Sequence, residues 1–132
     1  MASIPVLTAY AEPNGIDETA RRMWLRGKLA FPAGTYAAGG ALPSYQPILD
    51  STGAAVLLPV QQNGSVANQP LEMALESDSG SGYQYAYIPA TGKVKILECA
   101  GANAPLEELA AGALPGGVTS DAIHFVATWQ KD

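Results

Sequence analysis

The side chains that could do chemistry in this sequence are few and widely separated. There is one histidine, His124, and one cysteine, Cys99. A zinc site draws several ligands from these two residue types, so the sequence cannot build one from them. Calcium loops place carboxylates at alternating positions, and the nearest grouping, Glu76 with Asp78, lacks that pattern. We therefore expect no metal site and no cofactor.

A nucleophilic triad would have to combine His124 with Asp121 and with a serine or Cys99. Residues three apart in a strand point to opposite faces, so Asp121 and His124 should not meet. Ser79 and Ser81 lack the flanking glycines of a nucleophile elbow. A lone cysteine after an apolar run is typical of a small buried strand residue. The sequence predicts a protein that is not an enzyme.

Composition narrows the class of protein further. The 132 residues are 48% hydrophobic and only 14% charged, with 14 glycines and 10 prolines, which favours short strands joined by turns in one domain. The net charge of -5 opposes binding to nucleic acid. The sequence contains no apolar run long enough to span a membrane and no signal-peptide pattern. We expect neither nucleic acid nor membrane as a partner.

The clearest predicted element is a hairpin over residues 81–97. Tyrosines alternate along its first strand, residues 89–92 (Pro-Ala-Thr-Gly) suit a tight turn, and apolar residues alternate again beyond it. The register that places both apolar sets on one face pairs Tyr87 with Val94 and Tyr85 with Ile96.

Three further segments alternate apolar and polar residues and are predicted as strands: residues 22–31, 71–76 and 122–129. Gly27, inside the first of them, is predicted as a bulge. Residues 105–112 suit either a short helix or a connecting loop with irregular strand. Together these segments predict a mostly β fold, an antiparallel sandwich or barrel.

The N-terminal segment mixes apolar residues with two prolines and shows no clean period. We predict an extended arm over residues 1–18, followed by a single β-sandwich domain over residues 19–132. The alternative is a disordered terminus, but the segment carries more apolar surface than a free tail normally does, which favours an arm that lies against another surface. Removal of residues 1–14 should then weaken that contact and leave the domain folded.

Four of the seven positive charges, those of Arg21, Arg22, Arg26 and Lys28, lie close together in the sequence. They form either the solvated face of one strand or an ionic contact with an acidic neighbouring subunit. Combined with the arm, they give the following predicted contact residues: Ile4, Val6, Leu7, Tyr10, Arg22 and Arg26.

Aromatic residues suggest a second kind of binding site. Tyr83, Tyr85, Tyr87, Trp24 and Trp129 could form a platform for a sugar, or they could fill the core of a sandwich. The apolar residues predicted to oppose the tyrosines favour the core.

Five short stretches, residues 34–40, 82–87, 91–96, 108–112 and 121–127, read Gly-Thr-Tyr-x-x-Gly-Gly, Gly-Tyr-x-Tyr-x-Tyr, Thr-Gly-Lys-Val-Lys-Ile, Glu-Leu-Ala-Ala-Gly and Asp-x-Ile-x-Phe-x-Ala. In this order they resemble the small virion structural proteins of tailed bacteriophages, above all the capsid decoration or cement proteins. The likeness spans residues 20–130 in scattered motifs.

This resemblance implies a non-enzymatic jelly-roll or related β-sandwich protein. It implies a homo-oligomer, a dimer or trimer, that is made in the host cytoplasm and binds the outer capsid surface, where it bridges major capsid protein subunits. A phage tail, fibre or neck module and a carbohydrate-binding β-sandwich domain are the alternative interpretations.

Overall fold

A computed structural model describes residues 2–10, 15–19, 21–45, 47–56, 68–77, 82–99 and 105–130. Within these residues the chain is mostly β, as predicted, with one single-turn helix. The elements are β1 (Val6–Ala9), β2 (Ile16–Glu18), β3 (Arg22–Ala30), β4 (Thr35–Tyr36), β5 (Leu49–Asp50), β6 (Glu72–Ser77), β7 (Tyr83–Ile88), β8 (Lys93–Cys99), β9 (Leu106–Glu108), β10 (Gly112–Ala113), α1 (Gly116–Thr119) and β11 (Ile123–Gln130). The predictions for Asp78, Ser79, Ser81 and the Cys99 side chain lie outside what the structure describes.

A six-stranded sheet organises the fold. Its strand order is β5-β1-β3-β11-β6, with β2 also paired to β3. The last strand along the chain, β11, lies between β3 and β6 and pairs antiparallel with both. We predicted antiparallel pairing, but the sheet is mixed, because β5 joins β1 in a short parallel pair.

Strict alternation along the strands gives this sheet one buried face. On β3 and β11 every second residue is buried, and the residues between them are exposed or half-buried. The buried side chains include the largest in the core, since Trp129 and Phe125 lie on β11. We call this buried side the inner face. Its core residues are Leu7, Ala9, Met23, Leu25, Leu29, Met73, Ile123, Phe125, Ala127 and Trp129.

A three-stranded sheet, β7-β8-β9, contributes to the same core. The predicted hairpin register is confirmed, with Tyr87 opposite Val94 and Tyr85 opposite Ile96. Gly92 closes the turn at φ 74°, a conformation that favours glycine. The Tyr85 ring stacks on Phe31, which follows β3, with 5.7 Å between ring centroids. A two-stranded sheet of β4 and β10 completes the described structure.

The N-terminal segment is not the separate arm that we predicted for residues 1–18. β1 pairs with β3 on one side and with β5 on the other, and β2 also pairs with β3. The sequence shows too short an alternation to reveal this, yet Leu7 and Ala9 are core residues. Removing residues 1–14 would therefore take a strand out of the sheet.

Gly27 is not a bulge, because it keeps continuous register with Ala9 on β1 and Phe125 on β11. Its role is close packing instead. A Cβ atom at position 27 would lie 2.0 Å from the Thr8 carbonyl oxygen. Only glycine lets the backbone of β1 approach this near.

Residues 105–112 follow the second of the two predicted alternatives, since β9 occupies residues 106–108. The single-turn helix lies further on, at α1. Leu109, the residue after β9, is buried, and its amide donates to the Ile96 carbonyl oxygen at 2.9 Å. Pairing with β8 holds residues 106–108 in an extended conformation. An isolated helix of two turns has little stability of its own and would lose this pairing.

Candidate interaction surface

The side of the six-stranded sheet that faces away from the core, which we call the outer face, gathers four of the six predicted contact residues. Val6 lies on β1 and Tyr10 follows it, while Arg22 and Arg26 lie on β3. Tyr10 donates its amide to the Arg26 carbonyl oxygen at 2.9 Å, so the two segments are held side by side. Alternation explains the shared face, because every one of these residues has an even number in paired strands.

The same alternation excludes one predicted contact residue. Leu7 is only 3% exposed and belongs to the core, so it cannot contact a partner at the surface. Ile4, which precedes β1, is 57% exposed. Of the predicted arm residues, Leu7 thus contributes to the core, whereas Ile4 lies at the surface.

Three large aliphatic side chains are exposed at the β5–β1 edge. Ile4, Val6 and Leu49 are 57%, 50% and 43% exposed. Leu49 pairs with Thr8 across the parallel ladder, which places it on the same face as Val6. We call these three residues the apolar patch. Leu49 was not among the predicted contact residues. The available signal was its place beside Ile48, directly before the turn-forming residues 50–53.

Charged side chains on the outer face form two lines, one on β3 and one on β6. Arg22 and Lys28 are exposed on β3, and Glu72 and Glu76 are exposed on β6. β11 lies between the lines, and the paired row Lys28–His124–Glu76 crosses all three strands. The predicted basic patch is therefore one side of a two-sign surface.

Arg26 has an acidic partner in its own chain. Its guanidinium nitrogen Nη2 lies 2.5 Å from Asp17 Oδ2 on the neighbouring strand β2. Both side chains are largely open to solvent, so this pair adds at most about 1 kcal/mol to stability. Of the two interpretations of the basic patch, the solvated strand face describes Arg26 as it stands in the single chain.

The lone histidine has a structural contact on the outer face. The Tyr10 hydroxyl group lies 2.6 Å from His124 Nδ1, and this hydrogen bond ties the end of β1 to β11. Asp121 is buried on the other side of the sheet, where its carboxylate accepts hydrogen bonds from Ser77 Oγ and the Tyr85 hydroxyl, both at 2.7 Å. The prediction that Asp121 and His124 point to opposite faces is confirmed.

The aromatic platform for a sugar does not assemble from the residues proposed for it. Trp129 is fully buried and Tyr85 nearly so, while Trp24 lies on the outer face. The Tyr87 hydroxyl donates to the Pro70 carbonyl oxygen at 2.6 Å. Tyr85 thus belongs to the core together with Ile96, the apolar residue that opposes it.

A cavity of about 340 Å³ opens between β6 and β7, which belong to different sheets. Its lining mixes aromatic, amide, hydroxyl and carboxylate groups. These residues are Leu75, Glu76, Ser77, Gly82, Tyr83, Gln84 and Tyr85. All seven residues lie between positions 75 and 85 of the sequence, so the cavity is formed by neighbours along the chain.

One carboxylate outside the outer face is held firmly by its own chain. Glu108 Oε2 accepts hydrogen bonds from the Tyr36 hydroxyl and the Gly39 amide, both at 2.7 Å. These donors, the tyrosine first, hold the pKa of Glu108 below its ordinary value. Burial, reinforced by the bond to Glu108, raises the pKa of Tyr36 well above its ordinary range.

Metal and membrane signals are weak in the part of the chain that the structure describes. There, no three histidine, cysteine, aspartate or glutamate side chains gather in a way that could hold a metal ion. Among the same residues, no helix is long and apolar enough to cross a membrane.

No protein-family model matches this chain, and searches among curated proteins and solved structures found no significant match.

Proposed function

We propose that this chain is a non-enzymatic structural protein of a phage virion that binds the outer capsid surface and stabilises the shell by bridging major capsid protein subunits. The apolar patch of Ile4, Val6 and Leu49 carries the proposal. Val6 and Leu49 lie on the neighbouring strands β1 and β5, and Ile4 lies two residues before Val6. Exposed aliphatic side chains placed in this way are typical of a protein-binding surface. The resemblance of the sequence motifs to capsid decoration proteins supplies the partner.

For the finer architecture we propose an antiparallel β-sandwich related to the jelly roll, with the β1–β5 pair as a parallel exception. The support is that the inner faces of the six-stranded and three-stranded sheets contribute to one core. The stacking of Phe31 on Tyr85 bridges the two sheets.

The mechanism that fits this surface is additive. Burying aliphatic surface stabilises an interface by about 25 cal/mol per Å². One copy therefore contributes little, but many copies on a shell hold many junctions closed. In this role the chain would be a homo-oligomer, a dimer or trimer, located on the virion after synthesis in the host cytoplasm.

Particle composition tests this proposal first. Quantitative mass spectrometry of purified virions should find this chain at a copy number comparable to that of the major shell protein. A few copies per particle would instead place the chain in the neck or tail. Absence from particles would overturn the proposal.

The patch itself is tested by a double variant, Ile4→Ser with Val6→Ser. Binding to shells stripped of this chain should weaken about tenfold, because two partly exposed aliphatic side chains no longer become buried. Leu106→Ser is the matched control, since Leu106 is 47% exposed but lies on β9 in the other sheet. Equal binding by the double variant and the wild type would rule out the patch.

A carbohydrate-binding role is kept as a second candidate because of the cavity between β6 and β7. Tyr83, Gln84 and Glu76 offer the aromatic, amide and carboxylate groups with which sugars are bound. Titration with a panel of glycans should then perturb the tyrosine fluorescence of the wild type and not that of Gln84→Ala. A panel without response would remove this candidate.

A further inference from the structure

From the outer face we infer that this chain forms a two-fold symmetric dimer in which β3 of one copy lies over β6 of a second copy. The inference uses the charged strands and not the apolar patch, so it stands apart from binding to a shell. Two features carry it: the order of the strands, and the sign of the charges on each of them.

The strand order places the charges symmetrically about β11. Adjacent strands lie about 4.8 Å apart, so β3 and β6 flank β11 at equal distances. β3 presents Arg22 and Lys28, and β6 presents Glu72 and Glu76, all exposed. The outer face is therefore basic on one side of β11 and acidic on the other.

A two-fold axis that runs along β11, in the plane of contact, exchanges these two sides. It lays the basic strand of each copy over the acidic strand of the other, and it keeps each row of paired residues at its own height. In the row Lys28–His124–Glu76, Lys28 then faces the Glu76 of the second copy, and Glu76 faces its Lys28. An isologous interface repeats each contact twice, so both pairs are attractive.

The centre of the face suits contact with another copy. Val126 lies on β11, is 40% exposed and falls close to the proposed axis. Its row holds Arg26 on β3 and Ala74 on β6, so in the dimer the small alanine lies opposite an arginine that keeps its ion pair with Asp17 of its own chain. Val126 thus gives the axis one exposed apolar contact, with the charged residues of β3 and β6 on either side.

A single chain cannot bring these charges together as closely. Two strand spacings, about 10 Å, separate Lys28 from Glu76 in one copy, and His124 lies between them. A second copy removes that distance. A partner of one sign could match only one of the two charged strands, whereas a second copy sets Lys28 against Glu76 on both sides of the axis.

The size of the contact sets its strength. Three strands and about six residues along each cover on the order of 300 Å² per copy. Standard interfaces bury about 800 Å² per partner, so the dimer should be weak, dependent on concentration and further weakened by salt. On a particle surface, where copies are held close together, a weak contact of this kind is strengthened by high effective concentration.

The decisive experiment uses charge reversal in the full chain, with sedimentation equilibrium at low salt as the readout. Lys28→Glu and Glu76→Lys should each weaken dimerisation about tenfold or more, because each creates two like-charge contacts. The double variant carrying both changes should dimerise like the wild type.

Mixing the two single variants gives the sharpest test. In a mixed dimer, the glutamate introduced at position 28 of the first variant faces the lysine introduced at position 76 of the second. The unchanged Glu76 of the first variant faces the unchanged Lys28 of the second, so both pairs are attractive. An equimolar mixture should therefore dimerise more strongly than either variant does alone.

Three results would overturn the inference. One is a wild-type chain that stays monomeric at about 1 mM and low salt. Another is association of the single variants at wild-type strength, which would place any dimer contact elsewhere. The last is a mixture that stays monomeric when both single variants are monomeric and, by circular dichroism, folded.

Discussion

The two faces of the six-stranded sheet are built from the same strands and are used in opposite ways. On β11, Phe125 and Trp129 are buried on the inner face, whereas Val126 and Gln130 are exposed on the outer face. Because the side chains alternate, neighbouring residues in the sequence belong to different interactions. Stability and binding can therefore be altered separately, one residue apart.

The comparison is tested most strongly at adjacent positions of β11. Phe125→Ala removes an aromatic ring that is buried in the core and should lower the free energy of unfolding by about 3–5 kcal/mol. Val126→Thr keeps the branched shape on the outer face and should change it by less than about 0.5 kcal/mol. Urea unfolding followed by circular dichroism measures both. Similar losses for the two variants would mean that the outer face is also part of the core.

A second test asks whether backbone packing on the inner side is as strict as side-chain packing. Gly27→Ala places a Cβ atom against the Thr8 carbonyl oxygen and should lower the free energy of unfolding by about 1–3 kcal/mol. Gly116→Ala is the matched control, since a Cβ atom there meets nothing within 4 Å. Thermal unfolding of the two variants should separate clearly. Equal melting temperatures would show that β1 moves aside without cost.

The smallest expected effect concerns Glu108, whose carboxylate accepts hydrogen bonds within its own chain. The acidic residues of β6, in contrast, are the ones that we assign to a contact with a second copy. The folded-state pKa of Glu108 lies below its ordinary value of 4.5, so its contribution to stability is present above pH 4.5 and is lost as the pH falls below it. Glu108→Gln should therefore lose less stability than the wild type between pH 7 and pH 3.

Glu107→Gln, which changes an exposed neighbour on the same strand, is the control for that measurement. Melting temperatures at the two pH values are sufficient as a readout. If both variants reduce the loss of melting temperature between pH 7 and pH 3 equally, the hydrogen bonds from Tyr36 and Gly39 are not the cause of that loss.

Local periodicity made part of this fold predictable. The β7–β8 register follows from alternation and from a turn whose residues suit its geometry, and both signals lie within a short stretch. The three long strands β3, β6 and β11 were predicted for the same reason. Alternation also separated Asp121 from His124 correctly.

Tertiary contacts decided what the sequence could not show. β1 becomes a strand because β3 and β5 lie on either side of it, and Gly27 is required by the approach of Thr8 from another strand. Leu49 joins the apolar patch only through the parallel pairing of β5 with β1. Such features depend on residues distant in sequence, which a local pattern does not record.

The central place of β11 has a consequence for synthesis. Ile123 pairs with Leu29, which leaves the ribosome long before it. At about 5–20 residues per second, the edge of β3 waits about 5–20 s for its neighbour. During that interval one edge of β3 has backbone hydrogen-bonding groups without their strand partner, so the nascent chain is open to aggregation or to chaperone binding. The sheet can close only once β11 has been translated, and folding should follow translation in a single late step.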